Sequence, residues 1–182
     1  MGIPVHDSDA CVHDLLLPWG AGAKPVEAAF PPEDYPQIYD AKTGAIKRAE
    51  LGRVVFKDTE KRKTLEAILH PLVERAQQQF IENRAHEDIN MVALDIPLLF
   101  ETGADSRVDY TIVVSAPYHV QRARVLARPG MDEQKFYAIV KEQMPDTEKV
   151  ERADFVVNTD QGLAETEWEL KGIIDKIRKD HE

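Results

Sequence analysis

Three stretches of the chain are apolar without alternation: residues 91–101, 109–116 and 153–159. Such runs fit strands buried on both faces, the arrangement of parallel sheets. A shorter run over residues 3–7 reads as a further strand, which Pro4 restricts to an early or edge position. Elsewhere apolar positions recur at helical spacing. Residues 10–17 make a short helix stopped by Pro18, residues 26–30 another, and residues 46–56 a third. A longer helix is expected from about Thr59 to about Arg84, with Leu65, Ile68, Leu69, Leu72 and Val73 on one face. His70-Pro71 interrupts it and predicts a bend, because an internal proline removes a helical hydrogen bond and clashes with the preceding turn. Residues 117–152 form a long charged connection with a helix ending near Met144. The tail, residues 163–182, carries an apolar stripe of Leu163, Leu170, Ile173, Ile174 and Ile177. Strands alternating with helices predict an α/β protein with a parallel sheet.

Length and charge narrow the picture. The 182 residues amount to one domain, with room for a subdomain. A net charge of −10, from 33 acidic and 23 basic residues, argues against a broad nucleic-acid footprint. A local basic pocket for phosphates remains compatible with it. Cys11 is the single cysteine, so no internal disulfide can form and a reducing cytoplasm is expected. The first residues lack a signal peptide's basic and apolar regions, and no window reaches the roughly 18 apolar residues of a membrane span. A soluble cytoplasmic protein without nucleic-acid or membrane partners is the expectation.

The candidate chemistry begins at Ile3-Pro4-Val5-His6-Asp7-Ser8-Asp9-Ala10, where an apolar run ends in two carboxylates at i, i+2. In a strand that spacing points both side chains to one face. At a strand's carboxyl end in an open α/β sheet, paired carboxylates suit a metal, a hydroxyl or a general base. Asp9 is equally well placed to N-cap the helix that follows. Gly20-Ala21-Gly22-Ala23-Lys24 imitates a phosphate loop, but Pro25 follows the lysine, no strand precedes Gly20, and the spacing departs from G-x-x-x-x-G-K-[ST]. Arg122, Arg124 and Arg128 cluster in an otherwise acidic chain and end at Pro129-Gly130, a turn suited to hinge a lid. Arg124 and Arg128 share a helix face, and the guanidinium fork matches phosphate oxygens. A solvated helix is the plainer reading. His70, alone on its helix, reads more readily as structural than catalytic.

Several stretches then match one family in order: Val5-His6-Asp7-Ser8-Asp9-Ala10, Leu51-Gly52-Arg53-Val54-Val55-Phe56, Leu69-His70-Pro71-Leu72, and Asp95-Ile96-Pro97-Leu98-Leu99-Phe100-Glu101. Gln121-Arg122-Ala123-Arg124 through Arg128, Gln143-Met144-Pro145 and Ala153-Asp154-Phe155-Val156-Val157-Asn158 continue the register. Together they resemble the dephospho-coenzyme A kinase family over essentially the whole chain. The resemblance implies a P-loop kinase-like fold of the nucleoside-monophosphate-kinase type, a parallel sheet with flanking helices in a single domain. A helical substrate subdomain would span about residues 18–85 and a lid about residues 118–150. It implies ATP and Mg2+ as cofactors. It also implies dephospho-CoA as the substrate whose ribose 3′-hydroxyl is phosphorylated in the last step of coenzyme A synthesis. Asp9 would be the base at that hydroxyl, with Asp7 supporting it and the metal environment. Arg53 and His70 would lie on the substrate side, Arg124 and Arg128 at the ATP phosphates, and Asn158 in an adenine-contacting turn. No residue is assigned as a metal ligand.

One feature of the family is missing. Its members open with a strand, a P-loop and most of a helix ahead of the Asp-x-Asp stretch, and the 182 residues contain no G-x-x-x-x-G-K-[ST] run. The expectation is a truncated member, its first strand and P-loop missing, poorly stable and catalytically inactive or nearly so by itself. Two other readings compete with a kinase. Asp-x-Asp after an apolar strand also opens haloacid-dehalogenase-type phosphatases, although the acidic pair such enzymes need after a later strand is absent beyond Ser115-Ala116-Pro117. A non-catalytic protein that binds CoA-type ligands is the other.

Overall fold

Parallel pairing, expected from the unalternating apolar runs, is what the backbone forms. The computed structural model describes residues 1–181 and falls into two compact units, Gly2–Pro97 and the chain from Leu98 onward with Met1. The first unit contains β1 (Val5–Asp7), α1 (Ser8–Leu15), α2 (Ala23–Ala29), α3 (Arg48–Phe56), α4 (Thr59–His86) and β2 (Ala93–Asp95). β1 and β2 run parallel, with Val5 opposite Ala93 and Asp7 opposite Asp95. The second unit contains β3 (Ile112–Ser115), α5 (Tyr118–Leu126), α6 (Glu133–Glu142), α7 (Asp146–Arg152), β4 (Phe155–Asn158) and α8 (Leu163–Asp180). There β3 pairs parallel with β4, Ile112 opposite Phe155 and Ser115 opposite Asn158. β3 is not covered on both faces as its apolar run predicts: Val114 is 66% exposed, while its neighbours Val113 and Ser115 turn inward. Val5 on β1, 60% exposed, agrees with the edge position read from Pro4.

Local chemistry sets the element boundaries in the first unit. Proline cannot donate to a ladder, and β1 starts after Pro4, whose carbonyl accepts the Ala93 N–H at 2.9 Å. α1 begins at Ser8, two residues earlier than predicted, because Asp7 caps it: its carboxylate accepts the Ala10 N–H at 2.9 Å. The N-cap is therefore Asp7, not Asp9. The Gly20–Lys24 stretch is the turn into α2 and the helix's first residues, and not a phosphate cradle. A Cβ on Gly20 would lie 2.2 Å from the Leu15 carbonyl oxygen, so the glycine is there for close backbone approach. Lys24 and Pro25 fall inside α2, which starts at Ala23.

Leu16, Val26, Phe30, Ile38, Tyr39, Leu51 and Leu69 form the core of this unit. Each fully buried aliphatic or aromatic side chain contributes about 1.5–3 kcal/mol relative to exposure. The Tyr39 hydroxyl satisfies itself by donating to the Phe30 carbonyl at 2.6 Å. The predicted bend at His70-Pro71 does not break α4, which remains helical over 28 residues with Pro71 inside. Pro71 removes one backbone donor. The Asp58 cap and the packing of α1, α2 and α3 against α4 hold the remainder.

In the second unit a reciprocal set of bonds closes the start of β3 and β4. The Asp154 carboxylate accepts both the backbone N–H and the hydroxyl of Thr111 at 2.7 Å, and the Asp154 N–H donates to Thr111 Oγ1 at 3.0 Å. These bonds from Thr111 hold the Asp154 carboxyl below the usual carboxylate range. α7 is a helix that the charged pattern concealed. It follows Pro145, with Asp146 and Glu148 in its first turn and Lys149 and Arg152 in its last, matching the helix dipole.

Candidate active site

Burial alternates through the carboxylate stretch. Val5, Asp7 and Asp9 are exposed, His6 is half-buried, and Ser8 is buried. Only Asp7 lies in the strand, so the i, i+2 strand geometry expected to aim both carboxylates to one face does not extend to Asp9, and what the two share is exposure. Two inward contacts fix the alternation against α4. The His6 ring meets Phe80 edge-on at 5.5 Å, and the Gln77 amide donates to the Ser8 hydroxyl at 3.1 Å. Asp9 stands in the first turn of α1, where the aligned N–H groups favour a negative charge.

A third carboxylate joins this end of the strand pair. Asp95 closes β2 in register with Asp7, so their backbones are about 4.8 Å apart at the carboxyl ends of neighbouring parallel strands. Asp95 is exposed. Among the described residues no group of three or more His, Cys, Asp or Glu side chains could hold a metal ion. Two hard carboxylates do not make an all-protein cage, but they fit Mg2+, which takes one or two carboxylates and completes its shell with phosphates and water. Cys11 supplies no nucleophile nearby, because burial and then the charge of Asp14 push its thiol up.

The second unit carries the arginines. Arg122 pairs with Glu133 at the start of α6. Arg124 donates to the Thr159 hydroxyl at 2.8 Å and to the Thr159 carbonyl at 2.6 Å, and so holds the turn after β4. Arg128 is exposed beyond the end of α5, two residues before Gly130, whose φ of +76° makes the turn into α6. Asn158 ends β4 in that same neighbourhood. Its backbone N–H donates to Glu169 and its carbonyl accepts from Thr166, both on α8, while its side chain stays on the exposed side.

The far end of the arginine region is clamped. Glu101 accepts the Met144 N–H at 3.0 Å and the Lys149 ammonium at 2.8 Å, the two charged side chains being 17% and 18% exposed. Burial pushes the Glu101 carboxyl up, but the bonds from Lys149 and Met144 outweigh it and hold the group below its ordinary range. Arg152 adds an ion pair to Asp105 at 3.0 Å and covers the Phe100 ring at 4.7 Å. Ser115 Oγ donates to Asp146 at 2.6 Å, tying the carboxyl end of β3 to α7.

Of the predicted site residues, Asp7 and Asp9 are both exposed where β1 passes into α1, and Arg124 holds the turn that follows Asn158. Arg53 lies on the surface of α3, ion-paired with Glu50. His70 is exposed on α4, beside core residue Leu69. Sequence reasoning gave no role to Asp95, although an acid closing a buried apolar run is a readable signal. The Arg124–Thr159 and Gln77–Ser8 contacts bridge 35 and 69 residues and leave no trace in local sequence.

Comparison with known proteins accords with this geometry. A family model described as dephospho-CoA kinase matches residues 1–165. A dephospho-CoA kinase from Mesorhizobium japonicum is 48% identical over 177 residues, 97% of this chain and 85% of that protein. One from Rhizobium etli is 47% identical over 97% of this chain and 83% of its own. Among solved structures, TT1252 from Thermus thermophilus superposes with a TM-score of 0.75 at 32% identity, covering 96% of this chain and 85% of that one. The dephospho-CoA kinase from Campylobacter jejuni, at 24% identity and a TM-score of 0.66, has the same fold. The chain belongs to the dephospho-CoA kinase family.

Proposed function

We propose that the chain acts in ATP-dependent phosphorylation of the ribose 3′-hydroxyl of dephospho-CoA, with Asp9 as the group that meets that hydroxyl. The observation that carries this reading is the exposed Asp7–Asp9 pair at the carboxyl end of a parallel strand, where α/β folds receive ligands. The acceptor oxygen attacks the γ-phosphorus of ATP, the bond to the β,γ-bridging oxygen breaks, and ADP leaves. Asp9 orients the hydroxyl and takes its proton; Asp7 holds the start of α1 through its cap and so fixes the backbone beneath Asp9. Phosphoryl transfer needs chiefly positioning and charge stabilisation. Mg2+, held by Asp7 and Asp95 together with phosphate oxygens, would neutralise charge on the transferring group. Arg128 offers an exposed guanidinium to the phosphates. Arg124 shapes the Asn158–Thr159 turn against which the nucleotide lies, and Arg53 and His70 face the substrate side. A cytoplasmic setting suits these small-molecule ligands.

A second reading is a non-catalytic protein that binds CoA-type ligands. The phosphatase reading draws no support from the family match. Calorimetry with dephospho-CoA and with ATP, alongside a transfer assay using γ-labelled ATP, separates the two. Label appearing on dephospho-CoA, and reduced about 10²–10⁴-fold in Asp9→Asn, supports the kinase. Binding of dephospho-CoA without ATP binding or transfer supports the binder. Failure to bind dephospho-CoA at all contradicts both.

A further inference from the structure

One polar contact in the Gly2–Pro97 unit lies beside the carboxylates and belongs to none of the groups proposed to meet substrate. The Gln77 side chain, on α4 and 2% exposed, donates from Nε2 to the hydroxyl of Ser8, 7% exposed, at 3.1 Å. Ser8 sits between Asp7 and Asp9. A buried primary amide has two donors and an acceptor to satisfy, and a leucine would fill similar volume without that demand. What the pair adds beyond packing is direction. Successive residues of a helix are turned by about 100° and advanced by about 1.5 Å. A Ser8 hydroxyl pinned to α4 therefore fixes the angle at which Asp9 leaves α1. Phe80, three residues along α4 and on the same helix face, holds the His6 ring in the same way. With Ser8 anchored inward, the direction in which Asp9 leaves the first turn of α1 is set, while the Asp7 carboxylate is held by the Ala10 N–H.

We propose that Gln77, acting through Ser8, is a positioning residue that aims the Asp9 carboxylate at the acceptor hydroxyl. The inference rests on the reading of Asp9 given above. Gln77 itself touches no substrate.

Calorimetry of the 182-residue chain with dephospho-CoA and with its 3′-deoxy analogue tests this without any transfer step. Everything but the 3′-hydroxyl is common to the two ligands, so the ratio of their dissociation constants reads that contact alone. The unaltered chain is expected to favour dephospho-CoA by roughly tenfold or more, the effect of one hydrogen bond to a charged group. In Gln77→Leu the ratio falls toward one while the deoxy analogue binds as before; a merely structural role would weaken both ligands together. Gln77→Leu leaves the Ser8 hydroxyl without this donor, so a melt of each variant accompanies the titrations. The Ser8→Ala/Gln77→Leu variant removes both partners and keeps the test available if the single variant unfolds. A full ratio in either folded variant overturns the inference. Asp9→Asn separates the two claims. If the unaltered chain shows no preference, or if Asp9→Asn retains it, the reading of Asp9 falls and this inference with it. If Asp9→Asn loses the preference and Gln77→Leu keeps it, only the role of Gln77 falls.

Discussion

The two units hold their functional side chains by different means. In Gly2–Pro97 the acidic residues are exposed, and their placement is inherited from buried neighbours: His6 on Phe80, Ser8 on Gln77, and an apolar cluster around Phe30 and Ile38. In the unit from Leu98 onward, charged side chains hold one another and the backbone directly. Arg124 grips Thr159, Glu101 grips Met144 and Lys149, and Arg152 grips Asp105. The first arrangement leaves carboxylates available for chemistry on a rigid base. The second stiffens the ends of a long charged connection and leaves Arg128 as an exposed cation at its turn.

Substitutions that attack each kind of support should separate them. The largest effect belongs to the apolar cluster. Phe30→Ala should cost about 3–5 kcal/mol in denaturant-derived stability, because a fully buried ring leaves a cavity. A loss under about 1 kcal/mol would mean that the cluster does not support the first unit. Glu101→Gln comes next. It leaves the Lys149 ammonium without its carboxylate, and residual exposure of the pair tempers the cost to about 1–2 kcal/mol. Faster proteolysis between α6 and α7 should accompany it.

Acidification should act on the same support. Glu101 and Asp154 both have carboxyls held below their ordinary range in the folded chain. Their contribution is complete above the ordinary carboxylate range and is lost as pH falls through the lowered folded values. Thermal melts across that window should therefore fall with pH, and less steeply in Glu101→Gln. An equal slope in that variant would remove Glu101 from the account. The smallest effect is at Arg53, whose ion pair with Glu50 is solvent-exposed. Arg53→Ala should change stability by less than about 0.5 kcal/mol, so weaker dephospho-CoA binding in that variant would mark a ligand contact and not a folding defect.

The parts of the molecule legible in the sequence are those set by local chemistry. Unalternating runs mark three of the four strands and the short run before Asp7 marks the other, while helical spacing finds α4 nearly to its ends. The Asp-x-Asp stretch is legible as a strand end, although Asp7 takes the N-cap position open to Asp9, and Asp9 lies in the helix. What was not legible depends on neighbours far along the chain. Pro71 reads as an interruption, yet α4, packed by α1, α2 and α3, stays helical through it. Val114 reads as buried from its apolar run, yet only one face of β3 is covered. The bonds of Arg124 to Thr159 require knowing that α5 ends beside the turn after β4. α7 lacked an apolar stripe and was marked only by Pro145 and a dipole-matched charge order.

The central claim is that Asp9 meets the acceptor hydroxyl. Its most direct test is the dissociation-constant ratio between dephospho-CoA and the 3′-deoxy analogue, measured for the unaltered chain and for Asp9→Asn. The account predicts a preference of roughly tenfold or more that Asp9→Asn abolishes without weakening the deoxy analogue. The same preference in both proteins would contradict it.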